Sequence, residues 1–315
     1  MTSPRHALDT GDTGRYYLHP VTGQQLVSVT NVLSTAVAKP ALVPWAAKIT
    51  AEKALDLLPA FVHAALVAPC KPRRVADECG TCTDCLVKAA KREVNLVKEK
   101  ASDLGTRIHH HADAHVTGAQ LEHDEEVEPY LEQYLRFLTD FDIDLTRDVE
   151  AAELTVAHPK LGLAGTLDLL LHLRLDGRTN DGRVKALPEG QRALWVVDIK
   201  TSATKSATTV YPEMALQLTA LRHCTEAWLP DDTVAPMPAP IKGAAVLNLR
   251  TNDYALIPLP SGTPEWTAYR GLLAGTQWLH GEHTKDVPRI TPTGAPVAKG
   301  TTTRTKKSST DGKAA

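Results

Sequence analysis

The chain has no run of eighteen apolar residues, and its first thirty residues hold no basic stretch followed by an apolar one. Neither a membrane span nor secretion is expected, and the predicted location is the cytoplasm. A strong charge of either sign is also lacking. The 35 Lys and Arg against 37 Asp and Glu leave a formal charge of -2, which argues against a protein that merely coats DNA. With 43% apolar and 23% charged residues, the composition is not that of a disordered chain. The 315 residues suffice for one large domain or two small ones with a sizeable core. Cysteine is scarce and odd in number, so a closed disulfide set is not expected. Of the five, Cys70, Cys79, Cys82 and Cys85 fall within sixteen residues, while Cys224 stands alone. Without an export signal, such clustering predicts metal ligation.

The near-neutral total hides an asymmetry. Residues 298–315 hold Lys299, Arg304, Lys306, Lys307 and Lys313 against Asp311, a net of +4, so the remainder carries -6. Thr, Ser, Lys and Gly dominate after residue 291, and 291–315 is predicted to be a disordered basic tail. Residues 1–13 read as a flexible leader. A short hairpin is expected over 16–18 and 25–29, then a helix capped by Thr30 and running through Val37. Pro40 and Pro44 restart the chain into a helix whose Trp45, Ile49, Leu55 and Leu58 form an apolar stripe, followed by a further helix over 59–67. Together, 14–68 is predicted to be an accessory helical layer.

Few residues break a helix between 86 and 115, although Gly105 is a candidate interruption. Residues 128–141 give another helix, with Tyr130, Tyr134, Phe137 and Leu138 on one face. The acids at 122–128 between these helices read as a solvated face. The period then changes to that of strands over 150–157, 163–175 and 193–200, an arrangement suited to an antiparallel meander. A helix over 213–228, a strand pair at 244–250 and 254–258, and a helix over 266–280 complete the pattern.

The charged residues inside the strand segments are the informative ones. Gly165-Thr166-Leu167-Asp168 lies in an apolar run, and about thirty residues later Trp195-Val196-Val197-Asp198-Ile199-Lys200 ends another. Carboxylates in such runs are costly without a partner. Two of them on neighbouring strands, helped by the Ile199 carbonyl, suit a hard cation such as Mg2+. Strand alternation puts Asp198 and Lys200 on one face and turns Ile199 into the core. Cation and lysine together suit phosphodiester hydrolysis, because both offset charge developing on a phosphoryl group. A pair of strand-end salt bridges is the alternative reading of the same spacing.

Gly-Thr-x-Asp, an Asp-x-Lys strand end followed by Thr, and a helix bearing Gln resemble the PD-(D/E)XK nuclease superfamily, and within it the RecB-like, CRISPR-associated and phage-encoded exonucleases. Gly105-Thr106-Arg107-Ile108-His109, the acid Glu153, Tyr211-Pro212-Glu213 and Ala215-Leu216-Gln217-Leu218 extend the resemblance. Ser28-Val29-Thr30, Lys39-Pro40-Ala41-Leu42 and Trp45-Ala46-Ala47-Lys48 are similar to openings of actinobacteriophage members. Two positions depart from the pattern: Leu221 stands where a tyrosine usually follows the Gln, and Asp113 where a glutamate often follows the His.

The resemblance implies a restriction-endonuclease-like α/β core over 87–290, a mixed sheet flanked by helices, within one nuclease domain over 14–290. It implies a DNA exonuclease of phage recombination, replication or processing, acting in the host cytoplasm, with a recombination or single-strand-binding protein as partner. His109, Asp168, Asp198 and the Ile199 carbonyl would hold Mg2+ or Mn2+. Lys200 would be the catalytic base or charge stabiliser, with Glu153 and Gln217 supporting. A non-catalytic DNA-binding adaptor that keeps the fold is the alternative.

His110, His111 and His115 read as solvated or DNA-facing imidazoles. His111 and His115 share a helix face but lack the His-Glu-x-x-His pattern of a zinc site. The four clustered cysteines, over 69–86, have the spacing Cys-x8-Cys-x2-Cys-x2-Cys, which satisfies either tetrahedral zinc or a 4Fe-4S cluster.

Overall fold

The computed structural model describes residues 6–10, 14–67, 69–70, 75, 78–177, 184–281, 283, 287, 289–290 and 296–297. The predicted basic tail lies outside these residues except for 296–297. The chain opens as an antiparallel ribbon of β1 (Ala7–Asp9), β2 (Arg15–Leu18) and β3 (Gln25–Ser28). The expected leader therefore supplies a strand, with Leu8 opposite Tyr16. Helix α1 (Val29–Ala36) is capped by Ser28 rather than Thr30. Ser28 keeps extended backbone, and its Oγ accepts the Asn31 N–H at 3.0 Å.

Helices α2 (Leu42–Asp56) and α3 (Leu58–Ala64) pack along the first half of α4 (Thr83–Thr117). The stripe expected on α2 is only partly covered: Leu55 remains 69% exposed and Leu58 55%. Helix α4 runs unbroken through Gly105 for 35 residues and stops at Gly118, whose left-handed φ of 73° lets its N–H reach the Ala114 carbonyl. No helix among the described residues is long and apolar enough to cross a membrane.

Helices α5 (Glu128–Asp140) and α6 (Leu145–Asp148) lead into the antiparallel meander β4 (Val149–His158), β5 (Leu163–Leu173) and β6 (Ala193–Thr201). Helix α7 (Pro212–Arg222) is shorter than expected, and Glu226–Trp228 forms β7 instead, paired with β4. Tertiary pairing, with Trp228 opposite Thr155, overrides the local helical pattern. Strands β8 (Val234–Pro236), β9 (Ile241–Leu249) and β10 (Tyr254–Leu259) and helix α8 (Thr263–His280) follow. A separate pair, β11 (Arg289–Ile290) and β12 (Pro296–Val297), comes last.

Ten strands make one mixed, mostly antiparallel sheet flanked by helices, in which β3–β5 and β6–β9 are the parallel pairs. Alternation along the strands divides the core. Leu170, Val196 and Val246 face α1, α7 and α8, while Leu171, Trp195, Val197 and Leu247 face Ile108 of α4 and Tyr130 and Phe137 of α5.

A buried ion cluster fixes the entry to the meander. Asp148 is fully buried, accepting from Arg147 at 3.0 and 2.8 Å and from the Asp144 N–H at 2.8 Å, with Arg192 Nε at 3.0 Å. Burial pushes this carboxyl up, but Arg147, the Asp144 amide and Arg192 outweigh it and hold it below the usual carboxylate range. Its stabilising contribution is thus full above the unfolded carboxylate value and fades as pH falls through the depressed folded one. Asp148→Ala is expected to lower stability by about 3 kcal/mol at neutral pH. Urea unfolding checks this, and a deficit that persists unchanged at pH 2 would contradict the ion-pair explanation.

Candidate active site

Strand β5 forks the sheet. Along one edge it pairs first with β3, at Leu163 and Ala164, and then with β6, from Leu169 to Leu173. Residues 165–168 span the opening between them. Gly165 permits that opening to be flanked closely, since a Cβ there would lie 2.8 Å from Leu221 of α7 and 3.1 Å from Val29. The Gly-Thr-x-Asp motif therefore has a packing reason at its first position and a chemical one at its last.

Asp168, Asp198, Lys200, Glu153, Gln217 and His109 all line the cleft at this fork. His109 arrives from α4, where Ile108 and Ala112 are buried against the sheet and leave the imidazole at the cleft edge. Its Nε2 lies 3.1 Å from the Ile199 carbonyl and donates to it, and its Nδ1 lies 3.6 Å from both Glu153 Oε1 and Asp168 Oδ1. The other Asp168 oxygen accepts the Ile199 N–H at 2.6 Å. His109, Glu153 and Asp168 thus bring their ligand atoms within 4.8 Å of one another, positioned to hold a metal ion.

Asp198 lies beside this group rather than within it. One of its oxygens accepts from Gln217 Nε2 at 3.0 Å and the other pairs with Lys200. Ile199, between these two residues, is buried as strand alternation requires. Sequence reasoning missed Arg15, Tyr17 and Thr30, which add a wall to the cleft from the opening ribbon and α1. Tyr17 is hydrogen-bonded to Thr166 at 3.0 Å. The only signal for this wall was the Ser28-Val29-Thr30 resemblance, because no spacing rule links residue 17 to residue 166.

Glu153 carries a backbone anomaly. Its φ is +46°, a left-handed conformation inside a strand, in a residue with neither glycine's freedom nor a short polar side chain. The flanking pairs Ala152–Leu169 and Leu154–Leu167 set it opposite Asp168. Such strain costs about 1–3 kcal/mol and persists where the surroundings over-determine it. Here it turns a carboxylate toward the imidazole.

The electrostatics describe a site short of positive charge. Burial pushes Asp168 and Asp198 up, and the pull from His109 and Lys200 does not fully offset it. Burial would lower His109, yet Asp168 and Glu153 outweigh it and raise the imidazole to about 9. Lys200 is likewise raised against burial by Asp198 and Asp168, so it is an ammonium. Asp168, Asp198 and Glu153 together make an oxygen-rich wall of the kind a hard divalent ion takes.

The second cluster lies at the other end of α4. Cys82 and Cys85 are buried at its N-terminus, and their sulfurs converge with those of Cys70 and Cys79, again positioned for a metal. The Thr81 and Cys82 amides bring the Cys79 thiol down to about 6.

Glu153→Gly separates strain from ligation. It is expected to raise stability by about 1 kcal/mol, the left-handed strain relieved less the entropy cost of glycine. Mn2+ binding, followed by calorimetry, should weaken at least tenfold. Lower stability together with unchanged Mn2+ affinity would show that Glu153 is neither strained nor a ligand.

No family model matches this chain, and no curated protein is found as a relative. Among solved structures, one titled "Crystal structure of SSO0001" aligns over 74% of this chain and 85% of its own at 13% identity, with a TM-score of 0.29, too slight a likeness to carry an argument.

Proposed function

We propose that the cleft hydrolyses phosphodiester bonds in DNA with Mg2+ or Mn2+, and that the sheet and its helices are a PD-(D/E)XK-type nuclease core. The observation that carries this reading is the convergence of His109, Glu153 and Asp168 beside the Asp198–Lys200 pair in one open cleft. A structural salt-bridge pair would need neither a strained glutamate nor an imidazole enclosed by carboxylates.

His109, Glu153 and Asp168 would hold the ion, with Asp198 and the Ile199 carbonyl completing the set. When bound, such an ion supplies Lewis-acid polarisation of the phosphoryl oxygens and a more acidic water. Lys200 stays charged and offsets negative charge that grows on the phosphoryl group as the bond breaks. This favours charge stabilisation over a base role. Gln217 fixes the Asp198 carboxylate, so that Lys200 keeps its direction. Arg15, at the cleft wall, would meet a flanking phosphate. Exonuclease action, a place in phage DNA recombination, replication or processing within the host cytoplasm, and a recombination or single-strand-binding partner follow from the sequence resemblance.

End-labelled linear DNA is expected to be degraded only with Mg2+ or Mn2+ present, and closed circular DNA to survive. Lys200→Ala should slow digestion at least about 100-fold while thermal unfolding and Mn2+ binding change little. Equal rates for the variant and the unaltered protein would remove the assignment. DNA binding without hydrolysis under any divalent ion would favour the adaptor reading instead.

A further inference from the structure

The four-cysteine loop holds its sulfurs at separations that discriminate between the two cofactors its spacing allows. Cys70 Sγ lies 3.6 Å from Cys82 Sγ and 3.3 Å from Cys85 Sγ, and Cys79 Sγ lies 3.9 Å from Cys85 Sγ. All four sulfurs fall within 4.8 Å of one another. One tetrahedral ion bound at about 2.3 Å from each thiolate sets the sulfurs about 3.8 Å apart. A 4Fe-4S cubane gives every thiolate its own iron and holds the cluster body between them, which spreads the sulfurs to about 6 Å. The cubane does not fit this cradle.

We infer that the loop binds a single zinc ion through Cys70, Cys79, Cys82 and Cys85. Soft thiolates disfavour Mg2+ and Ca2+, and a four-thiolate tetrahedron suits zinc without redox chemistry. The surroundings accommodate the charge of such a site. Four thiolates and Zn2+ carry a net of two negative charges, placed where the N-terminus of α4 offers its positive dipole end. The Cys82 N–H donates to Cys79 Sγ at 3.3 Å, a hydrogen bond that favours a thiolate. Lys88 and Arg92, one and two turns into α4, add cations and anchor Glu78, which precedes the first cysteine of the triplet.

With four protein ligands the site is closed, so its role is structural. It staples the chain leaving α3 to the start of α4. Cys85 and His109 are separated on that helix by about 36 Å at 1.5 Å per residue, too far for the zinc to touch the cleft. The inference is independent of the hydrolytic reading, because no cleft residue is a cysteine.

The test is elemental analysis of the full chain, purified without oxygen from cells supplied with both iron and zinc. One zinc per chain and a colourless protein are expected, and replacement by Co2+ should give the intense visible bands of tetrahedral four-thiolate cobalt. Removing the zinc with a chelator should expose four thiols to a thiol reagent, while buried Cys224 stays protected. Several irons per chain with a brown chromophore would overturn the inference. So would four thiols that react freely while zinc is retained. Because the chelation and cobalt measurements use the unaltered chain, they need no cysteine variant to fold.

Discussion

Two aspartates on adjacent strands of an apolar sheet set the terms for the rest of the molecule. Asp168 and Asp198 are drawn out of water by the same packing that buries Leu170, Val196 and Ile199, and each would be costly there alone. The fork in β5 makes them tolerable. It opens one stretch of strand to α4, α7 and the opening ribbon, and each sends a compensating group: His109, Gln217 and, at the rim, Arg15. Lys200 completes the balance from within β6. Even so the site keeps a surplus of carboxylate, gathered around the His109 imidazole.

Much of this architecture was legible in residue order. The meander, the β9–β10 pair, the face Tyr130–Tyr134–Phe137–Leu138 and the long α4 all follow from periodicity, because each buries its apolar set in one direction. What escaped was decided by distant partners. Residues 226–228 read as helix until β4 recruits them, and Ala7–Asp9 read as leader until β2 pairs with it. In the cleft, Asp168, Asp198 and Lys200 stand out in sequence because they interrupt apolar runs. His109 was one of several neighbouring histidines, marked only by resemblance. The left-handed turn at Glu153 leaves no trace in composition, since it is imposed by the pairs on either side.

Helix α4 joins two sites of opposite character. Its N-terminal end brings cysteine sulfurs to the four-cysteine cluster, and its later turns bring an imidazole to an open cleft of carboxylates. Softness and geometry would keep the two proposed ions from exchanging places: zinc is favoured by sulfur at about 3.8 Å spacing, whereas Mg2+ and Mn2+ favour carboxylates and carbonyls. The α2–α3 layer is lightly buried on its own, with Leu55 and Leu58 largely exposed.

The central claim concerns where a hard cation sits. A crystal of the protein grown with Mn2+, measured at the manganese absorption edge, tests it directly. The account predicts an anomalous peak enclosed by His109, Glu153 and Asp168, with the His109 ring turned so that a nitrogen faces the ion. Manganese bound elsewhere, with the His109–Ile199 hydrogen bond and the carboxylate contacts intact, would contradict it.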